Sequence, residues 1–113
     1  MINQPPIIRS KAPLRLGLAG GGTDVSPYSD LYGGGILNAT INLFAYASIE
    51  PTEDGKIVFE TSDGKHQKQS AAGVEIVPEG IFDIHAGIYN RILRFYSSTS
   101  LSFKLTTAID APQ

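Results

Sequence analysis

Cysteine is absent from the 113 residues, which removes disulfides, thiolate metal sites and cysteine nucleophiles together. Its absence agrees with a reducing, cytoplasmic setting. Histidine occurs only twice. His66 has no second ligand candidate nearby and reads as a surface residue, and His85 reads as a packing or solvated-face residue of a helix. No apolar run approaches the ~18 residues that crossing a bilayer takes. The opening Met1-Ile2-Asn3-Gln4-Pro5-Pro6 lacks the charged flank and apolar core of a secretory signal. A surplus of either charge is also missing: nine basic residues meet eleven acidic ones, for a formal charge of -2. Nothing in that balance calls for nucleic acid or an anionic membrane as partner. The apolar share of 42% and charged share of 18% fit a soluble globular protein, expected in the cytoplasm. The length fits one domain or an incomplete one.

Glycine, by contrast, is concentrated. The stretch Ala12-Pro13-Leu14-Arg15-Leu16-Gly17-Leu18-Ala19-Gly20-Gly21-Gly22-Thr23-Asp24 reads as a strand running into a bare backbone loop. Leu14, Leu16 and Leu18 alternate onto one strand face. Arg15, Gly17 and Ala19 share the other, which carries one guanidinium and little further volume. Gly20, Gly21 and Gly22 permit close approach by a ligand, and Thr23 and Asp24 add a hydroxyl and a carboxylate where the loop ends. The plain alternative is a glycine turn between a strand and a helix.

Asp24 or Ser26 is placed to cap a short helix, with Pro27 in its first turn and Gly33-Gly34-Gly35 ending it. Leu37, Ala39, Ile41 and Leu43 then alternate with Asn38, Thr40 and Asn42, a strand pattern that continues to Ile49. The uncharged polar row either faces water or hydrogen-bonds a polyhydroxylated ligand. Asp54-Gly55 predicts a hairpin whose returning strand is Lys56 to Thr61. Ser62 to Lys65 is a further turn, and His66 to Ser70 a short edge strand. Ile81, Ile84, Ile88, Ile92 and Phe95 recur at spacings of three and four, the apolar stripe of an amphipathic helix. A last strand places Leu101, Phe103 and Leu105 inward. No internal repeat or low-complexity tract appears. Strands, one long helix and a strand give an α+β class.

Two phosphate-loop patterns fail on the glycine run. Gly17 and Gly22 have the outer spacing of a P-loop, but Thr23-Asp24 stands where lysine and a hydroxyl residue are required. A dinucleotide fingerprint starting at Gly20 fails at Val25. A carboxylate at Asp24 repels an anion and accepts hydrogen bonds from hydroxyls, so a sugar or polyol fits better. Arg15 suits a phosphate on that sugar, or charge developing on a transferred phosphoryl group.

The run from Ala12 through Asp24, followed by Leu37-Asn38-Ala39-Thr40-Ile41, closely resembles the amino-terminal motif of the GHMP small-molecule kinases. Within that superfamily it looks most like the D-glycero-D-manno-heptose 7-phosphate kinases, along nearly the whole chain, including Asp110-Ala111-Pro112. The resemblance implies transfer of the γ-phosphoryl of ATP, with Mg2+, to the anomeric hydroxyl of a heptose 7-phosphate. It implies a ribosomal S5 domain 2-like α+β fold. Arg15 matches the motif arginine at the sugar and transferred phosphate, and Asp24 the acidic residue that binds sugar hydroxyls. Gly21 and Gly22 stand where related galactokinases carry Glu-His, so hydroxyl recognition differs here. Thr23 and the Asn38 and Thr40 face join the substrate-binding set from geometry alone.

In that family Asp-Ala-Pro introduces a glycine- and serine-rich phosphate loop, with a catalytic carboxylate further on. Here Gln113 follows Pro112 and the sequence ends. The expectation is residues 1–113 of a partial amino-terminal domain, without its phosphate loop or carboxy-terminal domain and inactive alone. Exposed apolar surface on such a piece favours self-association. The competing readings are a non-catalytic sugar-phosphate binding module and a structural remnant whose glycines only shape a turn.

Overall fold

The computed structural model describes residues 6–96 and 101–112. In chain order the elements are β1 (Ile8–Ala19), α1 (Tyr28–Tyr32), β2 (Leu37–Thr52), β3 (Lys56–Thr61), β4 (Gln67–Ala71), α2 (Asp83–Tyr96) and β5 (Ser102–Ile109). The strands form a five-stranded sheet in the order β1-β2-β5-β3-β4. The expected α+β class is therefore what the chain adopts. Two compact units divide the chain, one of residues 1–10 and 46–108, the other of residues 11–45 and 109–113.

The first unit holds the hydrophobic core. Ile57 and Phe59 of β3 pack with Ile76, Phe82, Ala86 and Tyr89, and Phe103 and Leu105 of β5 lie against them half-buried. The parallel register pairs Ile57 with Phe103 and Phe59 with Leu105, so period-two alternation brings all four to one sheet face. Asn90 of α2 ties down the loop before the helix: its carbonyl accepts the Ile76 N–H and its amide donates to the Ile76 carbonyl, each at 2.8 Å. Tyr89 accepts the Gly73 N–H at 3.0 Å.

Four expectations change. The Asp54-Gly55 turn forms, with Gly55 at φ 72, but β3 does not return against β2. β5 lies between them, pairing in parallel with β3, while β4 takes the antiparallel edge. The side of α2 that packs carries Ala86 and Tyr89, with Phe82 just before the helix, whereas Ile84 is 76% and Ile88 57% exposed. The apolar stripe read from spacing thus lies on the outer side of the helix. Leu101 precedes β5 and is exposed. At α1, Pro27 itself takes the cap position and no side chain caps the helix. Ser26 instead donates its hydroxyl to Asp30.

Candidate functional site

Every residue singled out from the glycine motif falls in the second unit. Arg15 is on β1, and Asn38 and Thr40 are on β2, its neighbour in the sheet. All three are exposed, as is Asp24. Neither Arg15 nor Asp24 forms an ion pair with another described residue. A cation and a carboxylate on one loop-and-strand segment are thus left to solvent or to a ligand.

The two glycine runs have different jobs within themselves. A Cβ on Gly20 would sit 2.0 Å from the Gly35 carbonyl oxygen, and one on Gly34 would sit 1.8 Å from the Thr23 carbonyl oxygen. No side chain fits at either position, because real Cβ contacts are far longer. Gly21 and Gly22 are the reverse case: a Cβ there would meet nothing within 4 Å. One glycine in each run therefore lets two backbones touch, while Gly21 and Gly22 keep the space above the loop open.

Thr23 is half-buried between the runs. Its hydroxyl donates to the Gly20 carbonyl at 2.7 Å and accepts the Gly35 N–H at 3.2 Å. The sequence reading placed this hydroxyl in the substrate-binding set; the structure shows it engaged with backbone. Asp110, which sequence alone left without a task, closes onto β2: its N–H donates to the Phe44 carbonyl at 2.9 Å, and its carboxylate accepts the Phe44 N–H at 2.8 Å. Lys11 lies 3.9 Å above the Phe44 ring centre. The signal for Asp110 was its place just after an alternating strand, but nothing local to it names Phe44 as the partner.

The first unit carries two open grooves. One is lined by Lys65, His66, Gln67, Lys68, Glu79, Ile81 and Phe82. The other is a hydroxyl-rich groove that includes Arg9, Ser48, Ser62 and Thr106. His66 is exposed. His85 packs between Phe59 and Phe82, with Nε2 3.1 Å from the Thr107 hydroxyl, and burial holds its pKa below the ordinary value. Among the described residues there is no cluster of three or more His, Cys, Asp or Glu side chains placed to hold a metal ion. No helix among them is long and apolar enough to cross a membrane.

No family model matches the chain. It is 44% identical over 105 residues to the D-glycero-alpha-D-manno-heptose 7-phosphate kinase of Campylobacter jejuni, covering 93% of this chain and 31% of that protein. A crystal structure of a D-glycero-D-manno-heptose 1-phosphate kinase from Bacteriodes thetaiotaomicron matches with a TM-score of 0.81 and 53% identity, over 96% of this chain and 35% of that one. Mevalonate kinase of Methanococcus jannaschii shares the fold alone, at 16% identity and a TM-score of 0.71, over 95% of this chain and 33% of its own. The chain thus spans about a third of the length of the relatives it matches. By sequence and by fold, it is a homologue of heptose phosphate kinases of the GHMP family over that third.

Proposed function

We propose that these residues form the acceptor side of an ATP-dependent sugar kinase of the cytoplasm, one that phosphorylates the anomeric hydroxyl of a heptose 7-phosphate. The observation that carries this reading is the open space over Gly21 and Gly22, with Asp24 at its end and Arg15 on the strand that leads in. A turn needs glycine where backbones touch, at Gly20 and Gly34. Gly22 takes φ 90 and is glycine for its backbone as well, but at Gly21 neither a left-handed φ nor a close neighbour calls for glycine. In the proposed site Asp24 accepts hydrogen bonds from sugar hydroxyls. Arg15 neutralises phosphate charge through a charge-assisted contact. Gly21 and Gly22 let the sugar approach the backbone. Asn38 and Thr40 offer amide and hydroxyl partners from β2.

ATP and Mg2+ enter through the relatives' kinase names. Bound Mg2+ would neutralise charge on the transferring phosphoryl group. The residues named above act on the acceptor sugar. Phosphoryl transfer depends on positioning and charge stabilisation at both substrates. The 113 residues alone are accordingly expected to bind sugar phosphate without turning over ATP.

The test is calorimetric titration of the chain with heptose 7-phosphate and, separately, heptose 1-phosphate, since the two relatives' names differ over that position. Binding of the 7-phosphate should weaken about 10-fold or more in Arg15→Ala and in Asp24→Ala, the loss of a charged hydrogen bond. Equal binding by wild type and both variants overturns the reading. The competing reading is a sugar-phosphate binding module without catalysis. ATP turnover by the 113 residues, lost in Asp24→Ala, would exclude it.

A further inference from the structure

Thr23 joins two loops that lie 12 positions apart. The Gly20 carbonyl receives both the Thr23 N–H, at 3.1 Å, and the Thr23 hydroxyl, at 2.7 Å. The same hydroxyl oxygen accepts the Gly35 N–H at 3.2 Å and lies 3.1 Å from the Gly35 carbonyl. A threonine hydroxyl has one proton and two lone pairs. Its proton goes to the nearer carbonyl, and one lone pair goes to the second glycine run. The backbone contacts flank this latch. Gly20 packs on Gly35, and a Cβ on Gly34 would meet both the Thr23 carbonyl and, at 3.1 Å, the Asp24 amide nitrogen. The second glycine run therefore presses on the peptide that carries Asp24.

We infer that Thr23 is a positioning residue for Asp24, latching the two glycine runs so that the carboxylate is presented in a fixed orientation, and that it does not itself contact the sugar. The inference rests on the acceptor-site reading and deepens it. Its chemistry favours the latch over a contact: the hydroxyl proton is already committed at 2.7 Å to a backbone carbonyl. Threonine suits the task better than serine because branching at Cβ restricts χ1.

The experiment compares wild type, Thr23→Val and Thr23→Ser. It reads amide hydrogen exchange at Gly35 and calorimetric binding of heptose 7-phosphate. In Thr23→Val, Gly35 should exchange ~10-fold faster or more, as a local opening released from its bond. Affinity should fall with Asp24 intact, toward the roughly 10-fold or greater loss expected of Asp24→Ala. Thr23→Ser keeps the hydroxyl and should restore both readouts most of the way. Protection at Ala86, in the other unit, checks that the fold persists. If Thr23→Val loses it, the serine variant decides: near-wild-type exchange and affinity support the latch. Weaker affinity with Gly35 protection unchanged, in either variant, means direct contact and overturns it. Unchanged Gly35 exchange in a folded Thr23→Val protein also overturns it. Failure of wild type to bind, with Gly35 still accelerated in Thr23→Val, overturns the acceptor-site reading and leaves the latch as a turn lock.

Discussion

His85 shows how a residue that suggests chemistry can be held by packing. Its ring meets Phe59 at 5.4 Å and Phe82 at 5.1 Å between centroids, and its Nδ1 is buried without a hydrogen-bond partner. Removal from water disfavours the imidazolium, so the folded pKa lies below the ordinary value of about 6.5. The unfolded chain therefore takes up the proton first as pH falls. The contribution of His85 is present in full above about pH 6.5 and is lost as pH drops toward the lower, folded pKa. Thermal melts between pH 7.5 and 5.5 should show the wild-type midpoint falling. His85→Gln, which keeps a hydrogen-bonding group for Thr107 but does not titrate, should flatten that fall. An identical slope in the variant would assign the pH dependence to other groups.

At the scale of elements, α2 is apolar on two sides, and periodicity does not say which side finds a partner. Phe82, Ala86 and Tyr89 meet β3, while Ile84, Ile88 and Ile92 remain exposed. Each stripe satisfies the helical spacing, and only the sheet's position selects between them. Phe59→Ala, at 1% exposure, is expected to cost about 3–5 kcal/mol in denaturant unfolding. Ile84→Gln with Ile88→Gln should stay within about 0.5 kcal/mol per site, as at an exposed surface. If the 113 residues sediment as more than a monomer, the same double variant should shift them toward monomer, because association favours covering an exposed apolar patch. A large loss of stability in it would place these isoleucines in the core instead.

Turn chemistry was legible because it is local, and strand order was not because it is not. Thr52-Glu53-Asp54-Gly55-Lys56 and Thr61-Ser62-Asp63-Gly64-Lys65 form the same wiring twice. In each, the aspartate accepts the threonine hydroxyl and the lysine N–H, and the glycine takes φ 72 or 73. These bonds hold both carboxyls below their ordinary values, through the Lys56 amide first for Asp54 and the Thr61 hydroxyl first for Asp63. Asp54-Gly55 thus reverses the chain as read. What it cannot reveal is that β5, arriving from the far end of the sequence, pairs with β3 and displaces the expected hairpin. The glycine motif divides in the same way. Its composition announced an open loop, but the division between touching Gly20 and Gly34 and open Gly21 and Gly22 depends on a second run 12 residues away.

Across the whole molecule, the two units differ in what sustains them. The unit of residues 1–10 and 46–108 has the buried core, whereas no described residue of residues 11–45 and 109–112 is buried. Order in the second unit rests on hydrogen bonds: the β1–β2 pairing, the Thr23 latch and the Asp110 clasp on Phe44. Opening free energy is lowest where buried apolar contacts are few, so the proposed acceptor loop belongs to the part of the chain that ligand binding can stabilise most. Amide chemical-shift mapping during titration of the 113 residues with heptose 7-phosphate tests this placement most directly. The account predicts saturable shifts confined to Arg15, Gly20 to Asp24, Gly34, Gly35 and Asn38 to Thr40, with α2 and β3 unmoved. Shifts centred on the groove at Arg9, Ser48 and Thr106, or none at millimolar sugar phosphate, would contradict it.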